Sequence, residues 1–164
     1  MPSKLRPSSL ARPDPAAPAD PAGVKIDTAY RESLMGYNAR RASLAIIARF
    51  MQEMAVYGLR PVDFSVLSLI NHNPGITSRQ LCAALGLLAP NLVGMINLFE
   101  KRELISRRAH PSDGRALALH ASEKGQKMMR DAEATAARLE VGATAQLTPV
   151  EAKTLIRLLK KIYL

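Results

Sequence analysis

The residues best equipped for chemistry in this chain are arginines and a few side-chain amides. Arg107 and Arg108 adjoin one another, and Asp113-Gly114-Arg115 follows shortly after. A carboxylate two positions before a guanidinium can orient it through a charge-assisted hydrogen bond. An arginine held at the end of an extended loop suits a narrow minor groove, where the DNA potential is most negative. Lys101, Arg102, Arg107 and Arg108 are expected to neutralise phosphates, and Arg79 joins them as a DNA-facing candidate. Asn91 and Asn97 each carry a donor and an acceptor, the combination that fits an adenine edge.

A second group lies nearer the start of the chain. Arg40 and Arg41 stand three and four positions from Tyr37 and Leu44, on a stripe that otherwise reads apolar. Such a pair either lines a subunit surface or clamps an anionic effector, because a guanidinium holds carboxylate or phosphate through two parallel bonds. Tyr37, Arg40, Arg41, Met54 and Phe64 form the candidate ligand-lining set. Cys82 sits among Leu81, Ala83, Ala84 and Leu85 and reads as an inert core thiol. His72, His110 and His120 are too scattered for a metal site, and none is expected. The chain holds no nucleophile elbow, phosphate-cradling glycine loop or supported acidic pair, so an enzyme is not expected, nor a cofactor.

These residues need elements to hold them. At 164 residues the chain has the size of one domain, and its 48% hydrophobic and 23% charged residues match a folded protein. A formal charge of +9 favours polyanionic partners, while the 4% aromatic content and lack of Trp disfavour stacking on single strands. A duplex read by helices fits better. No apolar run approaches the about 18 residues of a membrane span, no membrane partner is expected, and a single cysteine points to a reducing, cytoplasmic setting.

Six of the 11 prolines fall within the first 21 residues, so 1–26 reads as an extended, flexible Pro/Ala-rich arm. It is a solvated tail or an auxiliary phosphate contact through Lys4, Arg6 and Arg12. From Asp27 one long helix is expected over 27–58, capped by Asp27 or Thr28, with Leu34, Tyr37, Leu44, Ile47, Met51 and Met54 on one face. A second helix follows Pro61. Thr77-Ser78-Arg79-Gln80 is a capping box that starts a third, which ends near Leu85-Gly86. Pro90 fits the first turn of a fourth, with Leu92, Met95, Ile96 and Phe99 on one face. Two short helices across a glycine-containing turn have the form of a helix-turn-helix. Leu104–Arg108 and Ala116–His120 then read as a hairpin, the wing, with Asp113 and Arg115 in its turn. Ser122 caps a helix of about 20 residues. Thr148-Pro149-Val150-Glu151 starts a last helix with Leu155, Leu158, Leu159 and Ile162 on one side.

Over roughly 28–164 this order resembles the MarR family of winged-helix transcriptional regulators. The carriers are Leu85-Gly86, Leu92–Glu100 followed by Leu104–Arg108, Asp113-Gly114-Arg115 and Ser122-Glu123-Lys124-Gly125. The resemblance implies a mainly α fold with a small β-hairpin wing. A winged helix-turn-helix DNA-binding lobe (61–120) would join a helical dimerisation region (27–58 and 121–164) within one domain, 27–164. It further implies a homodimer that represses from a pseudo-palindromic site on double-stranded DNA until a small effector releases it. An aromatic acid or its coenzyme A thioester is expected, the latter engaging Arg40 and Arg41. By the same resemblance Arg115 enters the minor groove, Asp113 orients it, and Ala89, Pro90, Asn91, Val93 and Gly94 face the major groove. Gly94 and Leu98 stand where the commonest family pattern has basic residues, which shifts weight onto Asn91 and Asn97. The alternative is an architectural or accessory DNA-binding protein with no effector.

Overall fold

The computed structural model describes residues 26–110 and 116–164, in two compact units divided after Asn38. In the described part of the first unit, residues 26–38, Thr28 stands at the N-cap of the helix α1 (Ala29–Glu32) without a side-chain cap bond, and the preceding Asp27 accepts from the Ala29 amide through Oδ1 at 2.9 Å. The single long helix expected from Asp27 does not form. α1 stops at Ser33, and α2 (Met35–Met54) begins after Leu34. The reason is local competition for the backbone. Ser33 Oγ donates to the Tyr30 carbonyl at 2.7 Å, and Asn38 Nδ2 donates to the carbonyls of Glu32 and Leu34. Such side chains offer the chain an alternative to the helical ladder.

In the second unit, 39–164, α2 runs into a single 3₁₀ turn (Ala55–Tyr57), and α3 (Pro61–His72) follows. Pro61 sits in the first turn of α3, where its missing N–H costs nothing. Asp63 completes the cap: Oδ2 accepts from the Arg60 amide at 3.0 Å and from Arg60 Nε at 2.8 Å. A two-residue strand β1 (Ile76–Thr77) leads into α4 (Ser78–Leu85). The Thr77 capping box forms as expected, with the Gln80 amide donating to Thr77 Oγ1 and the Thr77 amide to Gln80 Oε1. Gly86 closes α4 at φ +63°, a left-handed exit that suits glycine. α5 (Ala89–Lys101) then leaves at 119° to α4, within the range of a helix-turn-helix.

β2 (Ile105–Ala109) and β3 (Leu117–Ala121) form the hairpin, antiparallel with Arg107 opposite Leu119 and Arg108 opposite Ala118. β1 pairs with the other edge of β3, so the sheet runs β1-β3-β2. β1 was not expected: two residues are too few to show an alternating pattern. α6 (Glu123–Ala143) starts where Ser122 Oγ accepts from the Gly125 amide, and α7 (Pro149–Tyr163) where Thr148 and Glu151 form the expected box. The protein is thus mostly helical with a three-stranded antiparallel sheet, a winged helix.

The core sits between α3, α4, α5, the sheet and α6. Val66, Leu67, Ile70, Leu81, Leu92, Phe99, Leu104, Leu119 and Met129 are all buried there, with Met54 reaching in from α2. One close approach locks α6 to the sheet. Gly125 is buried, and a Cβ built on it would lie 2.0 Å from the Leu104 carbonyl oxygen. That carbonyl accepts from the Ser122 amide at 2.9 Å, so it has nowhere to go. α7 differs from every other long helix: none of its residues is buried.

Candidate nucleic-acid interface

α5 buries Leu92, Met95, Ile96 and Phe99 on one side. At 100° per residue the centre of the opposite face falls on Pro90, Gly94, Asn97 and Lys101, all exposed. Ala89, Asn91, Val93 and Leu98 flank this face and are exposed too. The face carries little charge. Val93 is 54% exposed and Leu98 45%, apolar groups of the kind that contact a thymine methyl. No atom lies within 4 Å of a Cβ placed on Gly94, so packing does not demand glycine there. An interior helical glycine costs roughly 0.5–1 kcal/mol relative to alanine, so internal packing supplies no reason for it.

The cations divide into two groups. Arg79, Lys101 and Arg108 are exposed and free to meet phosphate. Arg102 and Arg107 are not. The sequence reading places Arg102 among the phosphate contacts, but its guanidinium turns inward. Nη2 donates to the Tyr57 carbonyl at 2.7 Å and Nη1 to the Gly58 carbonyl at 3.1 Å. Arg102 therefore ties the end of α5 to the turn after α2. Those carbonyls lie past the last helical turn of α2, where only a long donor from another element reaches them. Arg107 points from β2 back onto α5, where Nη2 lies 3.2 Å from Glu100 Oε2 and also donates to Asn97 Oδ1. Asn97 is thus already half engaged, which the adenine expectation did not foresee. Asp113 and Arg115, with the wing motif they form, lie outside the described residues, as do residues 1–25 of the arm.

Met54, one of the effector candidates, is fully buried in the core. Arg40 and Arg41 are exposed on α2, and Tyr37 is half-buried in the first unit. Phe64 meets a cleft of about 110 Å³, shared with Ile46, Arg49, Phe50, Ala136, Leu139, Glu140 and Ala143. Phe50 and Phe64 meet edge to face there, with ring centroids 5.5 Å apart. A neighbouring cleft of about 180 Å³ shares Arg49 and Leu139 and adds Glu53, Thr135, Arg138 and Gly142. Arg49 Nη1 donates to the Gly142 carbonyl at 3.0 Å, and the Tyr57 hydroxyl bonds Thr135 Oγ1 at 3.0 Å. Sequence reasoning missed Arg49, Phe50 and Arg138. No local signal could have found them, because α2 meets α6 only in the fold; Arg49 and the Gly142 it bonds are 93 positions apart.

The buried carboxylate of Asp63 was also missed. Burial pushes its carboxyl up, but the Arg60 hydrogen bonds and charge, with Arg102 nearby, outweigh that and hold it below its ordinary value. Among the described residues no cluster of three or more metal-ligating side chains occurs, and no single helix is long and apolar enough to cross a membrane.

Comparison with known proteins gives a consistent set of relatives. The profile of the MarR family matches residues 57–116, from the end of the 3₁₀ turn after α2 up to the start of β3. A transcriptional repressor, CouR, solved bound to a 23-mer DNA duplex, is 32% identical with a TM-score of 0.80, covering 85% of this chain and 99% of that one. CouR bound to p-coumaroyl-CoA is 30% identical with a TM-score of 0.75, covering 84% of this chain and 97% of that one. A protein of Thauera aromatica, assigned as a transcriptional regulatory protein for the hcr operon, is 29% identical over 130 residues, 79% of this chain and 78% of that protein.

Proposed function

This chain belongs to the MarR family of transcriptional regulators, and from that premise we propose that it is a homodimeric repressor released from DNA by an aromatic acid or its coenzyme A thioester. The observation that carries the DNA half of this reading is the exposed face of α5. Its buried side is fully used by the core, yet Pro90, Gly94, Asn97 and Lys101 present a smooth, nearly uncharged surface to the outside, between the exposed cations Arg79 and Arg108. A helix so displayed suits the floor of a major groove, with cations left to the phosphate walls. Arg115, oriented by Asp113, follows the minor groove. Similarity to a repressor solved on a DNA duplex supports the same placement.

Two copies are proposed because the apolar surface needs them. Leu155, Ile156, Leu158, Leu159 and Ile162 on α7, and Leu44, Ile46, Ile47 and Met51 on α2, are all at least 40% exposed. A patch of that size on a folded protein marks an association surface. A symmetric pair would set two α5 helices about one DNA turn apart, matching a pseudo-palindrome. In this arrangement 27–58 and 121–164 supply the pairing surface and 61–120 the winged lobe.

For the effector, the paired clefts between α2, α3 and α6 offer an aromatic wall in Phe50 and Phe64 and cationic ends in Arg49 and Arg138. The inner cleft, at about 110 Å³, is smaller than the roughly 150 Å³ that admits benzene. An aryl acyl group must therefore push α2 away from α6. Only states with that wider separation bind it, so it shifts the population toward them and away from the spacing that fits DNA. Arg40 and Arg41 remain exposed on α2 for the phosphates of a coenzyme A moiety, and a related repressor holds p-coumaroyl-CoA.

The test is a footprint on the DNA flanking this protein's own coding sequence, titrated with p-coumaroyl-CoA and other aryl-CoA thioesters and acids. A short symmetric protected site that disappears with one of these compounds is the expected outcome. Uniform, sequence-blind binding that no such compound relieves would overturn the proposal.

A further inference from the structure

Arg107 is an expensive residue where it stands. Its strand position is half-buried, and its Nε is buried with no hydrogen-bond partner, which leaves a donor stripped of water and unpaired. Ion pairing alone does not repay that, since Glu100 is itself half in water and exposed pairs contribute little. What Arg107 does besides is grip Asn97, at the centre of the outward face of α5.

We propose that Arg107 is a specificity-determining positioning residue, which fixes the Asn97 amide so that it offers DNA only its N–H donors. A guanidinium has five N–H groups and no acceptor, so the amide atom facing it must be the oxygen. Asn97 Oδ1 is turned toward β2, and Nδ2 lies at the other end of the amide. Glu100, one turn along on the same flank, holds Arg107 in place through its own contact at 3.2 Å. The usual pairing of asparagine with adenine uses both amide atoms, accepting from N6 and donating to N7. With one lone pair of the oxygen taken and the atom turned toward β2, Asn97 presents its N–H donors outward and selects instead for a base with acceptors in the major groove, namely guanine through O6 and N7 or thymine through O4. Arg107 thus shapes what the helix reads without itself touching a base.

This rests on α5 being the reading helix. The test is selection from a pool of randomised DNA duplexes by the wild-type protein, Arg107→Lys, Arg107→Met and Asn97→Ala, with thermal melting of each. Wild type should prefer guanine or thymine by about tenfold at one position per half-site, and Asn97→Ala should flatten that position alone. Arg107→Lys keeps the charge and a reach to Glu100 but has one ammonium in place of a fork. It should flatten the same position to within about threefold while leaving the preferences at the other positions unchanged. A phosphate contact would survive the lysine and fail on Arg107→Met at every position alike; that pattern overturns the inference, as does adenine preferred at the Asn97 position. A pool with no enrichment by the wild-type protein would instead overturn the DNA-binding reading, and this inference with it.

Discussion

The winged lobe and the helix α7 are built on opposite terms. In the lobe every long element spends its apolar side inside: α5 alone buries four residues, and Phe99, Leu67 and Leu104 are almost wholly enclosed. α7 buries none, although its capping box and proline start are as well formed as those of any helix in the chain. Good local signals therefore make a helix in both places, but only the lobe completes its own core. Helical propensity and caps decide where a helix begins, while tertiary burial supplies most of its stability. The lobe encloses its own apolar residues, whereas α7 leaves its apolar side uncovered.

The sharpest way to break the lobe is Gly125→Ala. The added methyl would sit 2.0 Å from a backbone oxygen already bonded to Ser122, so α6 must move off the sheet. A loss of roughly 3 kcal/mol or more is expected, read as a lowered denaturation midpoint, and DNA binding should fall with the fold. A change of under about 0.5 kcal/mol would mean that the lobe yields more easily than its packing implies.

The matching change in α7 should do the reverse. Leu159→Glu should leave the lobe's own melting within about 0.5 kcal/mol. It should convert the protein to monomers in sedimentation and weaken operator binding by about 10²-fold, because two linked half-site contacts become one. A dimer that survives Leu159→Glu would place the pairing surface elsewhere.

A smaller effect belongs to Asp63, with its side chain 6% exposed while its partner Arg60 is 61% exposed. Since the exposed partner is screened, Asp63→Asn should cost only about 1 kcal/mol. The folded carboxyl titrates below its ordinary value, so its contribution is complete above the unfolded pKa of about 3.9 and is lost as pH falls through the folded value. Stability of the wild-type protein and of Asp63→Asn, compared from pH 7 down to pH 3, should converge at the acid end. Curves that stay parallel would deny the pairing its role.

The smallest change carries the opposite sign. Gly94→Ala should stabilise the lobe by roughly 0.5–1 kcal/mol, as for an unobstructed glycine within a helix. Its DNA affinity should fall all the same. Calorimetric melting and a gel-shift titration of one preparation separate the two.

Much of this was legible in the order of residues. The boxes at Thr77 and Thr148, the cap at Ser122, the exit at Gly86 and the apolar spacing of α5 depend on neighbours within four positions, and the structure forms each of them. The break at Ser33 was not legible. It turns on side chains that compete for carbonyls, and an unbroken apolar stripe conceals that. Nor could spacing show that Arg102 turns inward, since its acceptors, Tyr57 and Gly58, lie more than 40 positions away. Charge in a sequence says that an arginine will seek an acceptor, not whether phosphate or peptide provides it. For the same reason Arg107 and Asn97, ten positions apart on different elements, read separately as a phosphate contact and a base reader.

The open space over Gly94 has a bearing on how such a protein diversifies. A Cβ introduced there meets nothing within 4 Å, so the fold gains a little helix propensity from most choices and obstructs none at its first atom. Duplicate copies of the gene could therefore drift toward new target sequences by single substitutions at this one site, each tried on DNA before the rest of the chain had to adapt.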